Sequence, residues 1–305
     1  MTHVRSFADL HALAINQGTQ CLSVAGGDDP EVMKAIVTAL RDGLVARVMV
    51  TGQADGIKTG LPANLLDKVE IIDATDATEC ATLAVEAVRE GNAGILMKGH
   101  VDSRSYLRAI VDREAGIRAA GVLSNVTVAE MPSYPKFLAA TDNGIIPLPT
   151  LEQKRQIILN TAPLFRGLGV DCVKVAVLAA TEKVTEGNAS TEDAASLTNE
   201  SRSGGFSGFV VEGPFGYDVA VSKAAAETKK LGTSQVAGDA DLLTFPTIDA
   251  ANAVAKSWKF HGQAQTGSIV LGAQVPVLLN SRSDSVERRI NALLLALAVR
   301  SGEES

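Results

Sequence analysis

The sequence predicts an α/β protein built as two lobes, each a mostly parallel sheet with helices on both faces. Three observations predict it. Short apolar runs alternate with longer stretches of helical spacing along nearly the whole chain, the rhythm of βα units. Several of those runs end on glycine, where a strand in such a sheet turns at its ligand-facing edge. Pro132, Pro135, Pro147 and Pro149 crowd one stretch near the middle, which marks a crossing between domains. A chain of 305 residues, 46% of them hydrophobic, has material for two cores.

The elements follow in order. "QCLSVAGG", Gln20 to Gly27, is a strand ending in two glycines. Pro30 then opens a helix whose apolar positions are Val32, Ile36, Val37, Leu40 and Leu44. "ARVMVTG" and "VEIIDA" are the next strands, Thr78 to Arg89 a helix, and "AGILMKG" a strand ending at Lys98-Gly99. The strand ends at Gly26-Gly27 and Lys98-Gly99 are candidate walls of a site. Arg104 to Arg118 is expected as a helix, and "AAGVLSNVTVAEM" as two short strands or one bent one. Past the prolines the rhythm resumes. Leu151 to Leu168 is helix, "CVKVAVLAA" strand, Thr191 to Asn199 helix, "FSGFVVEGP" strand and Ser222 to Lys230 helix. "VAGDADLLTFP" is a strand, Ile248 to Phe260 a helix, and "GSIVLGAQVPVLLNS" holds the last strands before an apolar helix. The final strand and helix are expected to return to the first lobe, whose sheet otherwise lacks a closing element. The domains are therefore 1–131 with 268–305, and 132–267.

Composition narrows the function. A formal net charge of -7 argues against general nucleic-acid binding, which needs a basic face. Cys21, Cys80 and Cys172 are widely spaced and form neither a zinc motif nor a disulfide framework. The first twenty residues do not read as a signal peptide. The longest apolar run, Ala292 to Val299, is too short for a bilayer, so a cytoplasmic protein with no membrane partner is expected. The chain has no GxxxxGK[ST], GxGxxG or HExxH pattern.

Chemistry concentrates in a few places. Between the last strand and last helix stand Ser281, Arg282, Ser283, Asp284, Ser285 and Glu287. The serines and Asp284 read as helix caps, with Asp284 and Glu287 spaced as a capping box. Arg282 does not, because its charge opposes the positive end of the helix dipole; an anion held between Arg282 and the helix amides resolves that conflict. In "VEGPFGYD", Gly213 and Pro214 stop a strand, and Asp218 closes the stretch; it is either a plain turn or a close approach to a ligand. Asp239, Asp241 and Asp249 are a weak divalent-ion pattern beside the simpler reading as surface acids. Arg118, in apolar company, is expected to have an anionic partner, with Ser124 nearby in sequence.

Nine ordered blocks carry a resemblance: "ILMKG", "VDREAGIR", "LSNVTVAEMP", "TDNGIIPLPTLEQKRQIILN", "VKVAVLAATEKV", "VEGPFGYDVAVS", "SQVAGDADLL", "FPTIDAANAVAK" and "VLLNSRSDS". On these the chain resembles the phosphate acetyl/butyryltransferase family, most strongly its butyryl-type branch. The resemblance implies acyl-CoA plus phosphate giving acyl phosphate plus CoA, with coenzyme A as substrate and no metal or prosthetic group. It implies two α/β/α lobes of isocitrate/isopropylmalate dehydrogenase-like kind, with the active cleft between them, in a homodimer. It places Ser281 and Arg282 in the site, Arg282 on the phosphoryl oxygens with Arg118 as second cation, and Ser281 on the carbonyl oxygen or thiol sulfur. Lys98, Ser124, Gly213, Pro214, Asp218 and Asn252 are the further substrate-binding candidates. Where the acetyl branch has a carboxylate seven residues after the motif serine, this chain has Arg288, so the base is Asp284, Glu287 or bound phosphate. Glu212 stands for the usual aspartate before Gly213-Pro214, and Ala251 for a glycine before Asn252. Two other classes fit less of the pattern. One is a metal- and NAD-dependent decarboxylating dehydrogenase on a related scaffold, using Asp239, Asp241 and Asp249. The other is a non-catalytic acyl-CoA or phosphate-binding protein.

Overall fold

The computed structural model describes residues 4–119, 121–281 and 284–304. The chain forms two compact units, Phe7–Leu123 with Gly267–Glu304, and Ser124–Thr266 with residues 4–6.

In chain order the first unit contains α1 (Phe7–Ala14), β1 (Cys21–Ala25), α2 (Pro30–Arg41), β2 (Arg47–Gly52), α3 (Ala54–Gly60), a 3-10 turn (Ala63–Lys68), β3 (Val69–Asp73), α4 (Ala77–Arg89), β4 (Ile95–Lys98) and α5 (Ser103–Val111). The second contains β5 (Ser124–Glu130), β6 (Leu138–Thr141), α6 (Leu151–Asn160), α7 (Ala162–Gly167), β7 (Val173–Leu178), α8 (Ala189–Arg202), β8 (Phe209–Phe215), α9 (Tyr217–Val221), α10 (Lys223–Thr228), β9 (Leu242–Thr244) and α11 (Ile248–Phe260). β10 (Gln265–Leu271), β11 (Val277–Leu278) and α12 (Val286–Glu304) bring the chain back to the first unit.

The first unit's strands run β3-β2-β1-β4-β11-β10, all parallel except the β10–β11 pair. The second unit's run β5-β6-β9-β7-β8, parallel except β5–β6. β5 (Ser124–Glu130) falls in the second unit, antiparallel to β6.

Local chemistry explains the elements. Asp29 caps α2 by accepting from the amides of Glu31 and Val32 at 3.0 and 3.1 Å, Pro30 fills an early position without needing a donor, and Val32, Ile36, Ala39 and Leu40 are buried. The helix expected to reach Arg118 stops at Val111, because the Asp112 carboxylate takes the amides of Glu114 and Ala115 at 2.9 and 2.8 Å and closes a turn instead. The long helix expected over Leu151 to Leu168 is two, α6 and α7, with Pro163 in the first turn of the second. α12 buries Ile290, Leu293, Leu294, Leu295 and Val299. Gly267 lets β10 approach it, since a Cβ there would stand 2.8 Å from the Leu295 side chain and 2.9 Å from the Asn291 backbone. Among the described residues no helix is long and apolar enough to cross a membrane.

Candidate active site

β11 carries the chain out of the first unit's core at Leu278, and the next residues turn before α12 begins. The Ser281 amide donates to Asp284 Oδ2 at 2.8 Å, and the Asp284 amide donates back to the Ser281 carbonyl at 3.1 Å. The helix cap is Ser285, whose Oγ accepts the Arg288 amide at 3.4 Å, so the expected Asp284–Glu287 capping box gives way to a Ser285 cap. Asp284 is held one residue earlier, by the turn. Arg282 and Ser283 lie outside the described residues.

Behind this turn lie two buried cations. Lys98, at the end of β4, is 2% exposed, and its Nζ lies 3.5 Å from the Asn280 carbonyl. Arg289 is 3% exposed; its Nη1 donates to the Lys98 carbonyl at 3.4 Å and its Nη2 to the Ser281 carbonyl at 3.3 Å. Among the described residues Arg289 Nε and Asn280 Oδ1 are buried without a hydrogen-bond partner. Burial pulls the Arg289 pKa down, against the opposite pull of Asp284, Asp29 and Glu31. Tyr106, fully buried, donates to the Leu278 carbonyl at 3.3 Å and stays protonated, because burial pushes its pKa well up. Lys98, Ser281 and Asp284 are therefore brought together, and Arg289, which the sequence reading missed, joins them. Its signal was faint: a charge four residues before Leu293, on the helix face that is otherwise apolar.

At the two glycine strand ends the backbones approach closely. The Gly99 amide donates to the Ala25 carbonyl at 2.9 Å and the His100 amide to the Gly26 carbonyl at 2.7 Å, and a Cβ on Gly99 would collide with the Gly26 carbonyl. Arg118 has no carboxylate partner among the described residues. It is exposed, and its Nε and Nη2 donate to the Gly121 carbonyl at 3.2 and 2.6 Å.

In the second unit, Ser124 is buried and accepts from Asn160 Nδ2 at 3.1 Å. β8 does not stop at Gly213-Pro214 but runs through both to Phe215. Gly213 is needed because a side chain would press on the Val177 carbonyl of β7, and its own carbonyl accepts from Thr198 Oγ1 at 3.0 Å. Asp218 is exposed and pairs with Lys229 at 3.2 Å; Lys229 also pairs with Glu182 at 2.8 Å. That ammonium holds the Glu182 carboxyl below its ordinary range, helped against partial burial by the Gly216 amide. Glu212 accepts from Ser234 Oγ, which itself accepts the amides of Val236 and Ala237.

Asn252 Nδ2 donates to the Asn143 carbonyl at 3.1 Å, and so leads to a buried polar network the sequence reading passed over. Asn125 Nδ2 donates to Asn143 Oδ1 at 2.6 Å, and Asn143 Nδ2 to Thr127 Oγ1 at 2.7 Å. Asp142 accepts four backbone amides, from Asn125, Gly144, Ile145 and Ile146. Burial nevertheless lifts its pKa. The visible signal was Asn125 and Thr127 interleaved with the apolar Val126, Val128 and Ala129 of one strand.

Of the three acids in the weak divalent-ion pattern, Asp239 and Asp241 are paired with lysines. Lys136 Nζ lies 2.5 Å from Asp241 and 3.1 Å from Asp239, Lys174 pairs with Asp239, and the Lys174 amide donates to Asp241 at 2.8 Å. Among the described residues no three His, Cys, Asp or Glu side chains converge as metal ligands.

Residues 75–297 match the family described as phosphate acetyl/butaryl transferase. The chain is 36% identical over 289 residues to a probable phosphate butyryltransferase of Bacillus subtilis (strain 168), covering 95% of this chain and 96% of that one. It is 35% identical over 278 residues to a phosphate acetyltransferase of Thermotoga maritima, covering 90% and 93%. The solved structure of a branched-chain phosphotransacylase from Enterococcus faecalis V583 matches with a TM-score of 0.81 at 29% identity, covering 92% of this chain and 99% of that one.

Proposed function

We infer the activity from one premise: this chain belongs to the phosphate acetyl/butaryl transferase family. It is a phosphate acyltransferase, converting acyl-CoA and phosphate to acyl phosphate and CoA. The observation that carries the residue-level reading is the reciprocal Ser281–Asp284 turn at the head of α12, with the buried cations Lys98 and Arg289 behind it. Anions are stabilised where helix amides and side-chain cations meet.

The roles follow from the chemistry. Toward acyl phosphate, a phosphate oxygen attacks the thioester carbonyl and the CoA thiolate leaves; in reverse, a thiol with a free pKa near ~8.5 must give up its proton to attack. Arg282 and Arg118 hold the phosphoryl oxygens. Ser281 donates its hydroxyl to the carbonyl oxygen or the sulfur. Asp284, bonded to the Ser281 amide, takes the thiol proton. Lys98 adds positive potential, and Ser124, Gly213, Pro214, Asp218 and Asn252 shape the substrate site of the second unit. Transfer is direct, in a ternary complex, so that positioning replaces a covalent acyl-enzyme. No resident cofactor is called for, since the thiol and the phosphate supply nucleophile and leaving group. An isocitrate/isopropylmalate dehydrogenase-like pair of lobes belongs to the same proposal, supported by the parallel core of each unit. So do a cytoplasmic setting, supported by the free thiols of Cys21, Cys80 and Cys172, and a homodimer, which rests on the resemblance.

The dehydrogenase reading loses its footing because Asp239 and Asp241 are engaged by Lys136 and Lys174. The test is thiol release. Protein is mixed with phosphate and, separately, acetyl-, propionyl- and butyryl-CoA, and free CoA is followed with a chromogenic reagent. Phosphate-dependent release is expected, and the ranking sets the chain length. A protein that binds CoA but releases none would be a binding protein instead.

A further inference from the structure

Arg289 is an expensive residue to place where it is. It lies in the first turn of α12, where its charge opposes the helix dipole, and it is 3% exposed on the face that carries Leu293 and Ala296. A guanidinium offers five N–H donors. Here Nη1 and Nη2 reach one backbone carbonyl each, at 3.4 and 3.3 Å, and Nε reaches none. No carboxylate among the described residues forms an ion pair with it. An apolar side chain of similar length would cost the fold less, since a buried charge without a paired partner is destabilising. Sequences keep such local conflicts mostly at functional sites.

The two carbonyls it reaches are the informative part. They belong to Lys98, the last residue of β4, and to Ser281, in the turn three residues past the end of the adjacent strand β11 and 183 positions from Lys98 in sequence. We propose that Arg289 is a positioning residue for acyl transfer, bridging the Lys98 and Ser281 carbonyls so that the Ser281 turn keeps a fixed place relative to the end of β4. The inference rests on the phosphate acyltransferase reading. Arg289 touches no substrate; it acts through Ser281. The Ser281 hydroxyl must sit within hydrogen-bond reach of one developing charge, and displacement by even an ångström weakens such a contact steeply. Two donors on one planar group fix both carbonyls at once, which a lysine's single ammonium does poorly.

The experiment compares wild type with Arg289→Met and Arg289→Lys, measuring thermal midpoints, kcat and KM for acyl-CoA and phosphate. Arg289→Met is expected to melt at or above the wild type, because a buried charge is replaced by a packed apolar chain. Its kcat should fall by about tenfold or more, with KM for acyl-CoA within about threefold, the split expected when an interaction is realised in the transition state. Arg289→Lys restores the charge but not the two-point bridge, so kcat should remain about fivefold or more below wild type. Either variant folded, with kcat within about twofold of wild type, overturns the proposal. Failure of both to fold also overturns it, because the residue would then serve the fold and not the reaction. A wild type that releases no CoA in the presence of phosphate is a different result, which removes the activity itself.

Discussion

Ser281 and Asp284 hold each other by two hydrogen bonds, the Ser281 amide to Asp284 Oδ2 at 2.8 Å and the Asp284 amide to the Ser281 carbonyl at 3.1 Å. This fixes the serine's backbone just before α12 and puts a carboxylate three residues from it. Asp284→Asn keeps an oxygen that can accept the Ser281 amide but removes the charge and the basicity. The expected outcome is a normal melting midpoint with kcat reduced by about a hundredfold, the scale of general-base catalysis. Steady-state kinetics beside a thermal melt check it, and unchanged kcat would transfer the base's role to Glu287 or to phosphate.

Arg282→Ala should lower kcat/KM by about a hundredfold or more without unfolding the protein, as loss of one charged contact to a transition state does. Circular dichroism and the thiol-release assay decide it together. Near-normal turnover would take Arg282 out of the mechanism.

The Glu182–Lys229 contact predicts an acid limit on stability. Lys229 holds the folded pKa of Glu182 below its ordinary value of 4.5. The stabilisation is therefore complete above that value and is lost as pH falls through the folded pKa. Glu182→Gln should melt lower than wild type near neutrality, and the gap should close as pH drops below the ordinary carboxylate value. Melting curves across that range read the difference; a constant gap at every pH would contradict the assignment.

Asp142→Asn tests the buried network in the second unit. The carboxylate accepts amides on both oxygens, three on Oδ1 and the Ile146 amide on Oδ2 at 2.8 Å. An asparagine must set an NH2 against one of those donors, leaving it unpaired. The cost should be about 1–3 kcal/mol, measured by urea unfolding. A neutral effect would contradict the reading that both carboxylate oxygens are needed to satisfy these amides.

Local signals in the sequence carried the alternation of strands and helices and the return of α12 to the first unit. α2 was legible because Asp29, Pro30 and the spacing of Val32, Ile36 and Leu40 all say the same thing. What escaped reading was decided by partners distant in sequence. The Asp112 carboxylate ended α5 early by capturing amides that a propensity reading assigns to the helix. Asp239 and Asp241 looked like free acids until Lys136 and Lys174, on other segments, met them. Arg118 stands in apolar company in the sequence, and the fold gives its guanidinium the carbonyl of Gly121 as a protein partner, which no local pattern announces. Ser281, Asp284 and Lys98, which the fold brings together, were singled out by the sequence. Arg289 was not, since the carbonyls of Lys98 and Ser281 come under one guanidinium only in the fold.

The most direct test of the central claim follows the product. Wild-type protein, butyryl-CoA and phosphate are monitored by phosphorus NMR while free thiol is counted in parallel. Acyl phosphate should appear mole for mole with released CoA, and neither should appear when phosphate is withheld. CoA released without phosphate, or without a matching acyl phosphate signal, would make the protein a thioesterase and contradict the account.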